Sequence, residues 1–214
     1  MALKLYFHPL SSFCQKVLTA LYENDTPFER AVVNFMDPEE TAAFRKLWPI
    51  GKFPLLRDAA RDKLVPESTT IIEYLDRHFP GRTRLIPEDP DLAWGTRFWD
   101  RFLDLYIHFP MQKIVTDRFR PEGGHDSYGV DQAKAQIETA YGLLDEHLRG
   151  STWINEADFS MADCAAAAPL RFADMMVPIG DRKNLAAYLE RLKARPSFAR
   201  VWSEAEPFLA MVPK

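Results

Sequence analysis

The hydrophobic pattern of this sequence changes once, near residue 80, and that change most limits what the chain can fold into. Before it, short runs of strand-forming residues alternate with segments whose apolar residues recur at helical spacing. Beyond it only helical spacing is found. The segment between, PGRTRLIPEDPD at 80–91, holds three prolines and several charges, as linkers do. The sequence therefore predicts two domains, at 1–80 and 91–214, joined by a linker at 81–90.

The first domain has the element order of a small α/β domain. The predicted strands are 3–7, 28–33, 53–57 and 61–65, and the predicted helices are 13–24, 37–47 and 68–79. Asp37 and Pro38 occupy the N-cap and N1 positions that are typical of a helix start. Strands that alternate with helices favour a mostly parallel sheet, here with a hairpin appended.

The second domain is predicted to be entirely helical. Apolar residues of 94–109 fall on two faces, so this helix must contact more than one neighbour. The other predicted helices are 133–148, ended by Gly150, then 160–177, 184–195 and 198–205. Ser160 and Asp163 resemble a capping box, to which we assign a structural role.

Composition and charge exclude several classes of protein. The 27 basic and 31 acidic residues give a net charge of −4, whereas nucleic-acid-binding proteins usually have a basic surplus. No apolar run approaches the roughly 20 residues that span a bilayer. The two cysteines cannot form a disulfide framework, and the five histidines show no metal-binding spacing. We therefore expect a cytoplasmic protein without nucleic acid, membrane or metal partners.

The first candidate site is Ser11-Ser12-Phe13-Cys14, where the first helix begins. A helix N-terminus has unpaired N–H groups and a partial positive charge, which stabilise a thiolate. A serine hydroxyl cannot act as a redox nucleophile, but it can donate a hydrogen bond to the thiolate of a ligand. Alternatively, Ser11 or Ser12 simply caps the helix. Cys14 and Tyr6 are rival groups, and their positions favour core packing.

Two further segments have residues suited to binding a ligand. In Lys52-Phe53-Pro54 the proline stands at the start of a strand, where its missing N–H is tolerated. In Glu67-Ser68 the serine begins a helix whose N-terminus can hold a carboxylate, and the glutamate can hold an ammonium group. The pair suits an α-amino-acid group, unless it is only a helix cap beside a solvated glutamate.

Together these segments resemble the cytosolic glutathione transferases over nearly the whole chain. The resemblance is carried by LYFHPLSSFCQKVLTAL, WPIGKFPLL, PESTTIIEYLDRHFP, the proline-rich linker, DFSMADC and NLAAYLERLKARPSF. It implies a thioredoxin-like α/β N-terminal domain that binds glutathione, followed by an all-α C-terminal domain, and usually a homodimer. The position of Ser11 matches the catalytic serine of the theta, zeta and tau classes.

The resemblance also implies a ligand set and a reaction. The glutathione-binding residues would be Lys52, Phe53 through its backbone, Pro54 in the cis form, Glu67 and Ser68. The enzyme would be a transferase, with a role in detoxification. It would ionise the thiol of its co-substrate glutathione, without a metal, for attack on an apolar electrophile.

Leu10, Phe13, His108 and Met111 would line the acceptor pocket, to which the helical domain contributes. The alternatives stay open: a catalytically silent interaction protein with this fold, and a glutathione-dependent thiol oxidoreductase, which would use Cys14, or isomerase. The sequence departs from the family at Phe53, where valine or isoleucine is commoner. It also has S-S-F-C where the zeta class has S-S-C-S, so no class is assigned.

Overall fold

The computed structural model describes residues 3–211, and these residues form two compact units. The first unit comprises 3–85 and 196–208, and the second comprises 86–195 and 209–211. The helices and strands, in chain order, are β1 (Leu3–Phe7), α1 (Ser12–Glu23), β2 (Glu29–Val32), α2 (Pro38–Leu47), β3 (Leu55–Asp58), β4 (Lys63–Pro66), α3 (Ser68–His78), α4 (Pro90–Leu103), a π-helical segment (Asp104–His108), α5 (Phe109–Asp117), α6 (Ser127–His147), α7 (Met161–Asp174), α8 (Lys183–Ala194), α9 (Pro196–Ala205) and a 3₁₀ segment (Glu206–Met211). An α/β unit is therefore followed by an all-α unit, as predicted.

The sheet of the first unit is mixed, with the strand order β2-β1-β3-β4. Only β1 and β2 are parallel, while β3 is antiparallel to both β1 and β4. The prediction of a mostly parallel sheet is therefore wrong. The hairpin is not an appendage at the edge of a parallel sheet, because it supplies half of the strands and its first strand pairs directly with β1.

The core of the first unit is built from alternate residues of β1 and from the apolar faces of α1 and α3. Leu3, Leu5 and Phe7 of β1 are buried, as the strand period of two requires. In α1 and α3, the apolar residues at helical spacing that the sequence showed are also buried. At the start of α2, Asp37 accepts hydrogen bonds from the N–H groups of Glu39 and Glu40, so the predicted N-cap is confirmed.

The last helix, α9, belongs to the first unit although it follows the helical domain in sequence. Ser197 Oγ donates a hydrogen bond of 2.8 Å to Glu23 at the end of α1. Glu204 accepts a hydrogen bond from Tyr22 and forms an ion pair with Arg30 at 2.6 Å. Hydrophobic periodicity cannot indicate such a return, because it identifies the buried face of a helix but not the surface against which that face packs.

The described part of the second unit has helices and two isolated β-bridges, Trp153 with Glu156 and Asn155 with Asp158, but no strand. Its helix α7 is buried along nearly its whole length. The helix predicted at 94–109 is part of a longer run in which α4 continues through the π-helical segment into α5. Gly150 has a φ of 79°, which fits its predicted place after a helix end. None of the helices described between 3 and 211 combines the length and the apolar character needed to cross a membrane.

The predicted capping box at the start of α7 is confirmed, and Asp163 is its centre. Its carboxylate is fully buried and accepts hydrogen bonds from Ser160 N–H at 2.8 Å and from Ser160 Oγ at 3.1 Å. It also accepts from Ile154 N–H at 3.0 Å and from Tyr188 O–H at 2.7 Å. One side chain thus joins the start of α7 to the preceding loop and to α8.

We expect Asp163→Ala to lower the free energy of unfolding by about 3 kcal/mol or more, because it leaves several buried donors without an acceptor. Urea denaturation followed by circular dichroism would measure the loss. Asp158→Ala is a matched control, because Asp158 is exposed in the same loop. Equal stability of the two variants would show that the Asp163 network contributes little.

Candidate active site

The strand register brings the three candidate segments to one edge of the sheet. The end of β1 lies beside the start of β3, with Tyr6 opposite Leu55. The start of β3 also lies beside the end of β4, with Leu55 opposite Pro66. Three segments are therefore neighbours. Ser11 lies in the segment after β1, the Lys52-Phe53-Pro54 run in the segment before β3, and the Glu67-Ser68 pair directly after β4.

Ser11 is the N-cap of α1, and the residue is half-buried. Its backbone is extended, its N–H donates to His8 O at 3.0 Å, and its Oγ accepts the N–H of Cys14 at 3.3 Å. A hydroxyl that accepts in this way keeps its own proton for donation. The cap therefore orients Ser11 without using its hydrogen, so capping and thiolate binding are compatible roles.

The rival hydroxyls are placed differently. Ser12 is buried in the first turn of α1. The ring of Tyr6 packs on Phe44, with centroids 6.1 Å apart, beside the cluster of Val33, Phe44 and Leu55. Tyr6 thus takes part in packing between the sheet and α2, as its strand position indicates. Of the three hydroxyls, that of Ser11 is the best placed to donate at the helix start.

Cys14 is fully buried, and this burial raises the pKa of its thiol to about 12, although hydrogen bonds with Ser11 and with the backbone of His8 oppose the rise. A thiol with such a pKa is almost entirely protonated at neutral pH, and the thiolate is the reactive form. Cys164 is also buried, and both cysteines are free thiols. This geometry argues against an oxidoreductase that uses Cys14 as its nucleophile.

The segment before β3 presents a backbone rather than a reactive side chain. The Phe53–Pro54 peptide bond is cis, as the resemblance implies, and Pro54 is buried. The Phe53 ring stacks on Phe35 with centroids 4.6 Å apart. No hydrogen bond within residues 3–211 engages the backbone N–H or C=O of Phe53, so both groups can pair with an extended ligand. Lys52 beside it is exposed.

Glu67, the residue before α3, has a left-handed backbone, with φ 67° and ψ 125°. A residue with a side chain in such a conformation costs about 1–3 kcal/mol, and strain of this kind concentrates at ligand sites. The Glu67 side chain is exposed and does not cap the helix. No ion pair joins its carboxylate to another side chain of the described region. The carboxylate is thus held beside the start of α3, where Ser68 is buried.

Two polar residues of α1 support this edge, and the sequence did not single them out. Gln15 is fully buried, and its amide donates to Pro9 O at 2.8 Å, which anchors the loop before Ser11. Lys16 is 1% exposed, and its Nζ donates to Thr69 Oγ1 at 2.9 Å, which ties α1 to the first turn of α3. The one sequence signal of their burial is their position beside the apolar stripe of α1. That signal is weak, because polar residues at such positions usually face solvent.

The four predicted acceptor-pocket residues fall in two places. Leu10 and Phe13 are half-buried, on either side of Ser11 in the first unit. In the second unit, His108 is fully buried in the π-helical segment, with Nδ1 3.8 Å from Asp104 Oδ1. Met111 is 3% exposed in α5. The burial of His108 and Met111 argues against a role in lining the acceptor pocket, whereas part of the surface of Leu10 and Phe13 is exposed.

Comparison with known proteins agrees with this arrangement. The sequence model of the glutathione S-transferase N-terminal domain matches residues 5–83, which hold all three segments of the edge. The model of the glutathione S-transferase C-terminal domain matches residues 127–191. The chain belongs to the glutathione S-transferase family. As such a transferase it has the expected thioredoxin-like unit followed by an all-α unit.

Individual relatives cover most of the transferase. A glutathione S-transferase of Methylobacillus flagellatus, solved with glutathione bound, is 27% identical with a TM-score of 0.83, over 93% of this chain and 98% of its own. The structure of the beta-etherase LigF from Sphingobium sp. is 25% identical with a TM-score of 0.81, over 95% and 100% of the two chains. A glutathione S-transferase-like protein, LUC7 of Fusarium sp., is 29% identical over 79% of this chain and 77% of its own.

We expect both cysteines of the native transferase to resist thiol reagents, because both are buried and the Cys14 thiol has a raised pKa. The measurement is the absorbance released from Ellman's reagent at mildly alkaline pH, before and after addition of guanidinium chloride. Reaction should begin only on unfolding. Rapid modification of Cys14 in the folded protein would restore the oxidoreductase alternative.

Proposed function

We propose that this transferase is of the serine type and binds glutathione along the sheet edge defined by Ser11, the Lys52-Phe53-Pro54 run and the Glu67-Ser68 pair. It would ionise the thiol of glutathione for attack on an apolar electrophile. The observation that carries the proposal is the Ser11 hydroxyl, which lies at the start of α1 and can donate a hydrogen bond there, beside the backbone of Phe53, which makes no hydrogen bond within residues 3–211. The two free thiols fit a cytoplasmic location.

The proposed binding mode matches each part of glutathione to a group of the edge. The ammonium of the γ-glutamyl residue meets the Glu67 carboxylate, and its carboxylate meets the start of α3 at Ser68, where N–H groups and the helix dipole attract an anion. The cysteinyl residue pairs with the backbone of Phe53 as an added strand. Lys52 supplies a positive charge to the same edge. The sulfur then lies near Ser11.

One hydrogen bond from Ser11 can supply most of the stabilisation that the glutathione thiolate needs. A cysteine thiol titrates near pH 8.5, and lowering its pKa by about two units corresponds to roughly 2.7 kcal/mol. A hydrogen bond to a charged group contributes about 1.5–3 kcal/mol, and the N-terminus of α1 adds to it. The thiol proton leaves to solvent, and the thiolate sulfur forms a bond to the electrophilic carbon.

We expect Ser11→Ala to lower kcat/KM for conjugation by about 10- to 100-fold at neutral pH, because the thiolate loses its charge-assisted donor. Ultraviolet absorbance of the enzyme-bound thiolate, titrated with pH, should show its pKa moving up. Ser11→Thr keeps the hydroxyl and should retain most of the activity. Ser203→Ala, at an exposed position on α9, is the neutral control. Wild-type turnover and thiolate titration in Ser11→Ala would remove Ser11 from the mechanism.

Ether cleavage is a second candidate reaction at the same site, favoured by the likeness to the beta-etherase LigF. The same thiolate would form a carbon–sulfur bond as the carbon–oxygen bond breaks, and the departing oxygen would take a proton from water. A catalytically silent interaction protein is the third candidate. Retention on immobilised glutathione and release by free glutathione would exclude it if turnover is also found.

We also propose that the transferase is a homodimer, as the resemblance implies, and that its helical unit supplies apolar surface for the contact. On α4 and α6, Trp94 is 70% exposed and Leu143 is 56% exposed. An apolar groove between these helices is lined by Phe98, Tyr106 and Leu143, among others. Large exposed apolar patches on soluble proteins usually mark interaction sites.

We expect Phe98→Glu to shift the transferase from dimer to monomer, because it places a charge in the apolar groove. Sedimentation velocity over a range of concentrations would measure the shift. Tyr128→Glu is a matched control, since Tyr128 is an exposed aromatic residue of α6 outside the groove. A wild-type protein that sediments as a monomer would contradict the proposal, as would a dimer that Phe98→Glu leaves intact.

A further inference from the structure

We infer that His8 is an acceptor-binding residue, whose Nε2–H donates a hydrogen bond to an oxygen of the electrophile. The inference deepens the proposed function and rests on it. It assigns a flat, apolar, α,β-unsaturated carbonyl compound as the favoured substrate class. His8 belongs to the loop between β1 and α1.

The backbone and the ring of His8 are both tied to the loop that presents Ser11. Its carbonyl oxygen accepts the N–H of Ser11 at 3.0 Å. Its imidazole Nδ1 accepts the N–H of Leu10 at 3.2 Å. One hydrogen bond to the ring and one to the backbone therefore position His8 in the loop that leads into α1, where the proposed thiolate forms.

The same ring also contacts the segment before β3. The imidazole stacks near-parallel to Phe53, with centroids 6.3 Å apart and an interplanar angle of 20°. Phe208 meets it edge-on at 5.4 Å, and Phe53 also stacks with Phe35. His8 thus joins the Ser11 loop to the Phe53 segment within an aromatic group. Such a group favours a flat, apolar ligand, which can stack on its rings.

The hydrogen bond to Nδ1 fixes what this histidine can do chemically. Burial lowers the pKa of His8, which favours the neutral ring. A neutral imidazole that accepts at Nδ1 carries its proton on Nε2 and is therefore a donor there, not a base. No residue between 3 and 211 accepts a hydrogen bond from Nε2. His8 is half-buried, and the hydrogen bond to Nδ1 together with the ring contacts to Phe53 and Phe208 orients this donor.

A fixed donor is most useful where negative charge grows during the reaction. When a thiolate adds to the β-carbon of an enone, a carbon–sulfur bond forms and the π electrons move to the carbonyl oxygen. The resulting enolate is then protonated at carbon by water. Nε2–H would stabilise the charged oxygen through this step without giving up its proton. An alkyl halide has no such oxygen, because its electrons leave with the halide.

The test compares two electrophiles of similar size, benzylideneacetone and benzyl chloride, in wild type, His8→Phe and His8→Gln. His8→Phe keeps an aromatic ring without the donor, and His8→Gln restores a donor. We expect kcat/KM of His8→Phe to fall by about 10- to 100-fold with benzylideneacetone. With benzyl chloride it should change little. His8→Gln should recover part of the loss with the ketone.

Several outcomes would overturn the inference while leaving the proposed function intact. They are an equal fall with both electrophiles, no fall with either, or a wild type that conjugates benzyl chloride but not benzylideneacetone. A wild type that neither binds glutathione nor conjugates either compound would instead defeat the proposed function and this inference with it. Circular dichroism and glutathione affinity of each variant separate misfolding from a lost contact.

A measurement on the wild type keeps the inference testable if the variants fold poorly. Nitrogen resonances of labelled His8 can be followed by NMR as thioether products are added. The ketone-bearing adduct of benzylideneacetone should shift Nε2, whereas S-benzylglutathione should not. Equal shifts from the two products, or none from either, would count against a hydrogen bond from His8 to the acceptor.

Discussion

The antiparallel pairing of β3 with β1 and β4 is the constraint on which the rest of the site depends. It sets Leu5 opposite Leu56 and Tyr6 opposite Leu55, so the end of one strand meets the start of the next. A slip of one residue would turn the buried leucines toward the other face of the sheet, so the core holds the register. Because the register is fixed, three loops distant in sequence lie together at one edge.

At that edge, burial gives neighbouring residues opposite chemical roles. Ser11 and Cys14 lie one helical turn apart, and a hydrogen bond joins them. Cys14 faces the core, where its thiol is held protonated, while Ser11 stands half-buried at the helix start with a proton to donate. The reactive sulfur of the proposed mechanism is therefore supplied by the ligand. Glu67 adds a second feature, a strained backbone that holds a carboxylate beside α3.

Sequence patterns predicted most elements closely, and the failures have physical causes. The start of α2 at Asp37 and the capping box at Asp163 depend on residues within a few positions of each other, so local pattern sufficed. The direction of β3 and the return of α9 depend on which distant surface an apolar face meets. Lys16 and His8 went unassigned for a similar reason, because their partners lie far along the chain, at Thr69, Phe53 and Phe208.

By itself, the sequence determined the two-part fold class, the family resemblance and the residue types available at the site. These follow from hydrophobic periodicity, helix caps and short motifs, all of which depend on residues that are close together in the sequence. Only the tertiary structure decided which groups face a ligand. Side-chain exposure and long-range pairing set that choice, and both arise when elements pack together. The buried thiol of Cys14, the half-buried position of Ser11 at the helix start and the oriented ring of His8 are therefore properties of the fold.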